Sequence, residues 1–181
     1  NNQGVQSNRS SGEPLINATG RWVVFLSVGE VWGHPGNYYK LFLYDTETAN
    51  IELISVTSEG LPGNGGVGDH DISGDVRYIV FSSEADNLVV DDSNGSMDVF
   101  LHDRKTGITE RIGLKAGWPR ISGDGRYVVF QAESAEIGPS GLKAYVTLYD
   151  VQTGITKIIS QAEYGGQHAD ISDDGRYTVY Y

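Results

Sequence analysis

The sequence contains no cysteine, few basic residues and no long apolar run, and each of these features excludes a class of protein. Without cysteine, the chain has no disulfide, no thiolate nucleophile and no cysteine-based zinc site. Its 13 basic residues stand against 24 acidic ones, and a formal charge of -11 argues against binding to a phosphate backbone. No apolar stretch approaches the roughly 18 residues that a membrane-spanning helix needs.

Catalytic motifs are also scarce. The G-x-S-x-G elbow of serine hydrolases does not occur. The SGDG and SDDG stretches at 122–125 and 172–175 resemble the Asp box of sialidases, but Arg126 and Arg176 stand where that motif needs glycine. We therefore expect a chain that is not an enzyme, although paired carboxylates for glycoside hydrolysis stay open, since their separation is invisible in a sequence.

A repeat of about 50 residues dominates the sequence. Four segments align, and their leading isoleucines are 56, 49 and 50 residues apart: INATGRWVVF at 16–25, ISGDVRYIVF at 72–81, ISGDGRYVVF at 121–130 and ISDDGRYTVY at 171–180. A second block follows the first three: LFLYD at 41–45, VFLHD at 99–103 and VTLYD at 146–150. This period and order are typical of propeller blades.

Each repeat reads as four short strands without helical periodicity. The fold class is therefore all-β, a β-propeller of four-stranded antiparallel blades at about residues 14–56, 70–114 and 118–160, with a partial fourth blade at 168–181. The apolar runs in the second strands have no polar face, which predicts that neighbouring blades cover both sides. We treat residues 1–181 as one propeller segment.

Turn residues support this reading. Gly125 and Gly175 sit where a hairpin needs positive φ, whereas Val76 at the same position should shift the turn type or cost strain. In the later turn, Gly107 and Gly154 have no glycine counterpart in the first repeat, where Asn50 is the expected substitute.

The Ile-Ser-x-Asp-Gly-Arg-Tyr-Val-x-Phe block, the insert at 92–98 and the closing Asp-x-x-Thr-Gly-x-Thr resemble the repeat of bacterial TolB-like propellers, which are relatives of the WD-repeat fold. The resemblance covers nearly the whole chain. It implies a periplasmic or extracellular protein that binds proteins through one face or its central channel. Membership of a membrane-associated assembly is compatible with this resemblance. The resemblance implies no particular substrate.

Three and a half blades do not close a ring, because propellers usually have 4–8. An open end would expose strand edges and apolar blade faces. We expect further blades of a longer chain, a second copy or another protein partner to complete the ring, with a longer chain as the leading explanation.

A candidate calcium site lies in the insert before the third strand of blade 2. Asp92, Asn94 and Asp98 offer oxygen ligands around Gly95, and oxygen is the donor that Ca²⁺ prefers. The alternative is that these residues only form turns. No other cofactor is indicated.

A candidate partner-binding site lies at the channel mouth. Polar and aromatic residues precede each repeated isoleucine, where the innermost strand is expected to begin, and they suit a recognition patch. A hydrated, charge-balanced rim is the alternative. The residues are His70, Asp71, Trp118, Arg120, His168 and Asp170.

Three functions remain open from the sequence. The leading one is a non-catalytic scaffold or protein-binding module of the periplasm or extracellular space. The second is a carbohydrate-binding or carbohydrate-active propeller, and the third is a regulatory propeller fragment of a larger peptidase.

Overall fold

The computed structural model describes residues 10–28, 37–138, 141–160 and 168–181. These residues form an all-β structure of antiparallel sheets without a helix, and three of the four sheets have four strands. In each four-stranded sheet the strands pair in chain order, which is the arrangement of a propeller blade. No helix in this part of the chain is long and apolar enough to cross a membrane.

The strands of blades 1 and 2 are β1 Ser11–Ile16, β2 Trp22–Ser27, β3 Lys40–Asp45, β4 Ile51–Leu53, β5 Val67–Ile72, β6 Tyr78–Ser83, β7 Asp98–Asp103 and β8 Ile108–Gly113. Those of blades 3 and 4 are β9 Ala116–Ile121, β10 Tyr127–Gly138, β11 Gly141–Asp150, β12 Ile155–Ile158, β13 Asp170–Ile171 and β14 Thr178–Val179. The first strand of each of the first three blades thus begins two or three residues before the range expected from the repeat.

A small hydrogen-bond network closes the first hairpin of each blade. In blade 3 the Ser122 hydroxyl donates to Asp124 Oδ1 (2.5 Å) and accepts from the backbone N–H of Tyr127 (3.0 Å), and the same contacts recur in blades 2 and 4. In blade 1 the Thr19 hydroxyl donates to Asn17 Oδ1 instead (3.0 Å). The serine of the repeat is therefore a turn residue.

An arginine clamp joins the second and third strands of each four-stranded blade. Arg77 donates two hydrogen bonds to the carboxylate of Asp103 (3.0 and 2.8 Å), and its guanidinium lies 4.5 Å from the ring centroid of Tyr78. These hydrogen bonds lower the pKa of Asp103 to about 2. The equivalent pairs are Arg21–Asp45 and Arg126–Asp150.

The core lies between the blades, as the two-sided apolar runs predict. In β6, Ile79 and Phe81 pack into the cluster shared with blade 1, whereas Val80 and Tyr78 pack into the cluster shared with blade 3. A third cluster joins blades 3 and 4. Because successive side chains of a strand point to opposite faces, each apolar run is buried on both sides.

Val76 keeps the turn that glycine forms elsewhere. Its φ is 58°, close to the 73° of Gly125 and the 67° of Gly175, so the turn type is unchanged and the cost appears as backbone strain. In the other turn, Ala49 rather than Asn50 replaces glycine: Ala49 has φ 58°, and its N–H donates to the carbonyl of Asp45 (2.8 Å). The turn has the same length in all three blades, because Ala49, Gly107 and Gly154 each donate to the carbonyl of an aspartate four residues earlier.

The outer blades have uncovered faces. Val80 in β6 is 0% exposed because blade 3 covers it, whereas its counterpart Val179 in β14 is 66% exposed. Tyr177 on the same face is also exposed, and so is Ile16 on the opposite side of blade 1. The described part of the chain therefore offers two apolar blade faces to solvent, as the incomplete ring predicts.

Candidate functional site

A bulge near the middle of the innermost strand reorients one residue in each of the first three blades. The register shifts between Gly12 and Leu15 in β1, between Val67 and His70 in β5, and opposite Val129–Gln131 in β9. Bulges turn a side chain away from the pleated surface and are common at binding sites. The residues three positions before the repeated isoleucines are Glu13, Asp69, Trp118 and His168.

Three of these four residues adopt the left-handed region, with φ of 50° at Glu13, 52° at Trp118 and 48° at His168. Residues other than glycine, asparagine and aspartate rarely take this conformation, which costs about 1–3 kcal/mol each. Glycine would relieve the strain at Glu13, Trp118 and His168, yet the chain has a large side chain at each of them.

Aromatic rings from blades 3 and 4 stack on one another, and the stack includes Trp118 and His168. The ring centroids of Trp118 and His168 are 5.5 Å apart at an angle of 46°, and His168 lies 5.5 Å from Tyr181, nearly parallel to it. The stack joins two predicted partner-binding residues, Trp118 and His168. Trp118 nevertheless remains 42% exposed.

A cavity of about 390 Å³ opens beside Trp118, between blades 2 and 3. The residues that line it include apolar ones together with two acids, a glutamine and a lysine. Gln131 in this wall has a buried Oε1 that no described residue supplies with a hydrogen bond. The cavity is lined by Asp69, Ser96, Met97, Lys115, Ala116, Gly117, Trp118, Gln131, Glu133 and Ala144.

Asp71 and Asp170 lie at the other ends of the inner strands, in a second cleft of about 570 Å³ that all four blades line. The carboxylate of Asp71 accepts from the N–H of Ile72 (2.9 Å) and from that of Ile121 in the next blade (2.9 Å). Burial raises its pKa against the opposing effect of these hydrogen bonds. Asp71 is thus a link between blades 2 and 3.

The equivalent residue of blade 4 has only half of these contacts. Asp170 accepts from the N–H of Ile171 (2.9 Å), and the described residues give it no N–H from a further blade. In blade 3 the position is Arg120, whose Nη1 donates to the carbonyl of Pro119 (2.8 Å) and whose charge reaches Asp71.

His70 is almost fully buried and does not line either cleft. Burial lowers its pKa, and nearby backbone carbonyls oppose this shift only in part. The six channel-mouth residues therefore separate into three places: Trp118 and His168 in the stack, Asp71, Arg120 and Asp170 near the second cleft, and His70 in the interior. Asp71 and Arg120 are next to last in β5 and β9, not first as the sequence suggested.

The candidate calcium residues do come together, but an arginine lies among them. Arg111 Nη1 is 2.9 Å from Asp92 Oδ1 and 3.0 Å from Asp98 Oδ2. Asn94 points its amide nitrogen at both oxygens of Asp98 (2.9 and 2.8 Å), and the N–H of Lys115 also donates to Asp98 (2.8 Å). A calcium ion here must displace the guanidinium, and calcium binding stays a prediction.

Sequence reasoning missed Glu13, Asp69, Gln131 and Tyr181. The constant offset of three residues before each repeated isoleucine was a usable signal for the first two. Gln131 reaches the site through strand pairing, and Tyr181 reaches it through the aromatic stack. The repeat encodes neither contact. Within the described ranges, no group of three or more His, Asp or Glu side chains is arranged to hold a metal ion.

Comparison with solved structures identifies the fold. Over 97% of its length the chain superposes on TolB from Acinetobacter baumannii (17% identity, TM-score 0.63) and on a putative TolB from Agrobacterium tumefaciens (16%, 0.64). It also superposes on a prolyl endopeptidase over 96% of its length (14%, 0.65). No protein-family model and no curated protein sequence matches the chain.

The chain spans 38% of the first TolB, 55% of the second and 26% of the prolyl endopeptidase. At these identities the likeness establishes architecture and not activity. The chain has a TolB-like β-propeller fold, which confirms the resemblance seen in the repeat.

Proposed function

We propose that this chain is a non-catalytic propeller module of the periplasm or extracellular space, and that the open face of blade 4 receives a blade-like structure, either a further blade of a longer chain or a protein partner. The uncovered pair Tyr177 and Val179 is the observation that carries the proposal. Their counterparts in blades 2 and 3 are covered by the following blade. A contiguous apolar surface of this kind favours a protein partner.

The polar edge of the same face supports a partner with blade-like structure. Asp71 accepts the N–H of Ile121 across the interface between blades 2 and 3. Asp170 holds the same position on blade 4 and has already formed the hydrogen bond within its own strand. An extended strand with a free N–H at this point would repeat the established contact.

The experiment is capture from an envelope fraction combined with the native mass of the assembly. We expect the wild-type chain to retain a stoichiometric protein, and Val179→Asp to lose it, because a charge in the centre of an apolar contact is costly. Since Val179 is exposed, the substitution should leave the melting temperature unchanged.

Val90→Asp is the matched control, because Val90 is 89% exposed in a loop of blade 2. It should retain the partner. Equal recovery with Val179→Asp and Val90→Asp would contradict a protein partner on this face, and no retained protein at all would leave the blades of a longer chain as its cover.

A further inference from the structure

The cavity beside Trp118 has the features of a small-molecule site that is separate from the open face of blade 4. Its volume of about 390 Å³ falls within the range of ligand pockets, which run from about 300 to 1,000 Å³. An added Cβ at Gly117 would meet nothing within 4 Å, so the chain leaves space at this point. The apolar lining of the cavity includes Met97, Ala116 and Ala144.

Trp118 occupies a position where a bulky side chain strains the backbone. Its φ of 52° is strained for any bulky residue, and glycine would adopt it freely. The ring is 42% exposed, so burial offsets only part of this cost. His168 holds the indole from the other blade, which fixes its orientation beside the cavity. An exposed, oriented indole at a strained position indicates a recognition surface.

The polar groups around the cavity both accept and donate hydrogen bonds. The carboxylates of Asp69 and Glu133 are acceptors, and the ammonium group of Lys115 is a donor. Gln131 Oε1 is a buried acceptor that no described residue satisfies, which typically costs about 1–3 kcal/mol. This oxygen is closed to solvent, so the polar contacts to a ligand come from Asp69, Glu133 and Lys115.

We propose that this cavity binds a neutral sugar ring stacked on Trp118. One face of a pyranose consists of C–H groups that pack on an indole, and its edge carries hydroxyls that both donate and accept. That combination matches one aromatic wall with carboxylate, amide and ammonium groups around it. Two carboxylates against one ammonium disfavour an anionic sugar.

The test is calorimetric titration of the whole chain with four neutral disaccharides: cellobiose, maltose, lactose and N,N′-diacetylchitobiose. At least one should bind with a Kd of about 10 mM or tighter and change the tryptophan fluorescence. Digalacturonate is the charged comparison and should bind at least about tenfold more weakly than the best neutral sugar. Tri-lysine tests a cationic peptide as the occupant and should not bind.

Trp118→Gly is the informative variant, because glycine removes the ring and accepts the backbone conformation. It should weaken sugar binding by about tenfold or more while the melting temperature is kept or raised. Glu133→Ala, which removes an exposed carboxylate from the cavity lining, should weaken it several-fold and provides a second variant if Trp118→Gly does not fold. Tyr177→Ala, on the open face of blade 4, should bind sugar as the wild type does.

Four results would overturn the site: no binding of any neutral disaccharide, digalacturonate equal to the best of them, tri-lysine as the only ligand, or unchanged affinity in both Trp118→Gly and Glu133→Ala. Because the protein-capture experiment depends on Val179 and this one on Trp118, failure of one proposal is distinguishable from failure of the other.

Discussion

Val76 shows how a single residue can satisfy packing at the expense of backbone conformation. It is almost completely buried in the cluster between blades 1 and 2, and complete burial of a valine side chain stabilises by about 1.5–3 kcal/mol. Its positive φ costs about 1–2 kcal/mol. Arg104 donates to the Val76 carbonyl (2.9 Å) and to Glu52 Oε2 of blade 1 (3.0 and 2.7 Å), so the strained turn takes part in holding the two blades together.

We predict that Val76→Ala destabilises the protein more than Val76→Gly. Both variants lose the buried side chain, but only glycine also relieves the strain, and it should be more stable than alanine by about 1 kcal/mol. In the extended strand β6 the order should reverse, with Val80→Ala more stable than Val80→Gly. Chemical denaturation of the four variants measures this, and the same order at both sites would contradict the explanation.

His102 predicts a pH dependence of stability. It is buried, its Nδ1 lies 2.9 Å from Thr109 Oγ1, and burial lowers its pKa. The Thr109 hydroxyl donates its hydrogen to the carbonyl of Val56 (2.6 Å), so Nδ1 must be the donor in the first contact. As pH falls below about 6.5, the unfolded chain takes up the proton first, and stability is lost.

The melting temperature should therefore fall between pH 7 and pH 5, and His102→Asn should reduce the slope. Asparagine can place an N–H where Nδ1 stands, but it carries no titratable group. Part of the slope should remain, because burial also lowers the pKa of His70. An unchanged slope in His102→Asn would show that this histidine is not the titrating group.

At the scale of the strand, Asp71 and Asp170 form a natural matched pair. Asp71→Ala removes acceptors from Ile72 N–H and from Ile121 N–H across the blade interface, whereas Asp170→Ala removes only the contact with Ile171. Charge-assisted hydrogen bonds contribute about 1.5–3 kcal/mol each when buried. We predict the larger loss of stability in Asp71→Ala, measured by urea denaturation. Equal losses would mean that Asp71 does not link the blades.

The insert at 92–98 makes a second prediction at this scale. The side chains of Asp92 and Asp98 are 3% and 0% exposed, so Arg111→Met leaves two buried carboxylates without their common cation and should cost about 3 kcal/mol or more. Calcium should restore part of the melting temperature of the variant, since the carboxylates of Asp92 and Asp98 are then left without a cation.

The melting temperature of the wild type tests calcium binding directly. With the guanidinium in place, we expect the same melting temperature in calcium and in EDTA. A higher value in calcium would show that the ion binds and displaces Arg111.

The repeat predicted the blades because the residues that carry it act locally. Ser122, Asp124 and Arg126 form contacts within one hairpin or between adjacent strands, and such contacts have a fixed spacing in the sequence. The candidate site was predicted only in part, because Trp118 and Gln131 meet through a bulge that shifts the register of β9. Arg111 lies beside Asp92 only because strands β7 and β8 pair, which no local spacing reveals.

At the scale of the whole molecule, stability is distributed unevenly along the row of blades. Blade 2 is covered on both faces, whereas one face of blade 4 is open. In repeat architectures the stability of each unit depends on its neighbours, so a blade with one neighbour should open more readily than a blade with two. A partner seated on blade 4 would therefore change the local stability there first.

Hydrogen exchange followed by mass spectrometry should show this gradient. Strand β6 pairs with β5 and β7 and is packed on both sides, so its amides should exchange most slowly; β14 pairs only with β13 among the described residues, and its amides should exchange fastest. The captured partner should slow exchange in β13 and β14 while leaving β6 unchanged. Equal protection in β6 and β14 in the isolated chain would show that the open face of blade 4 is covered in solution, by a second copy or by another arrangement of the chain.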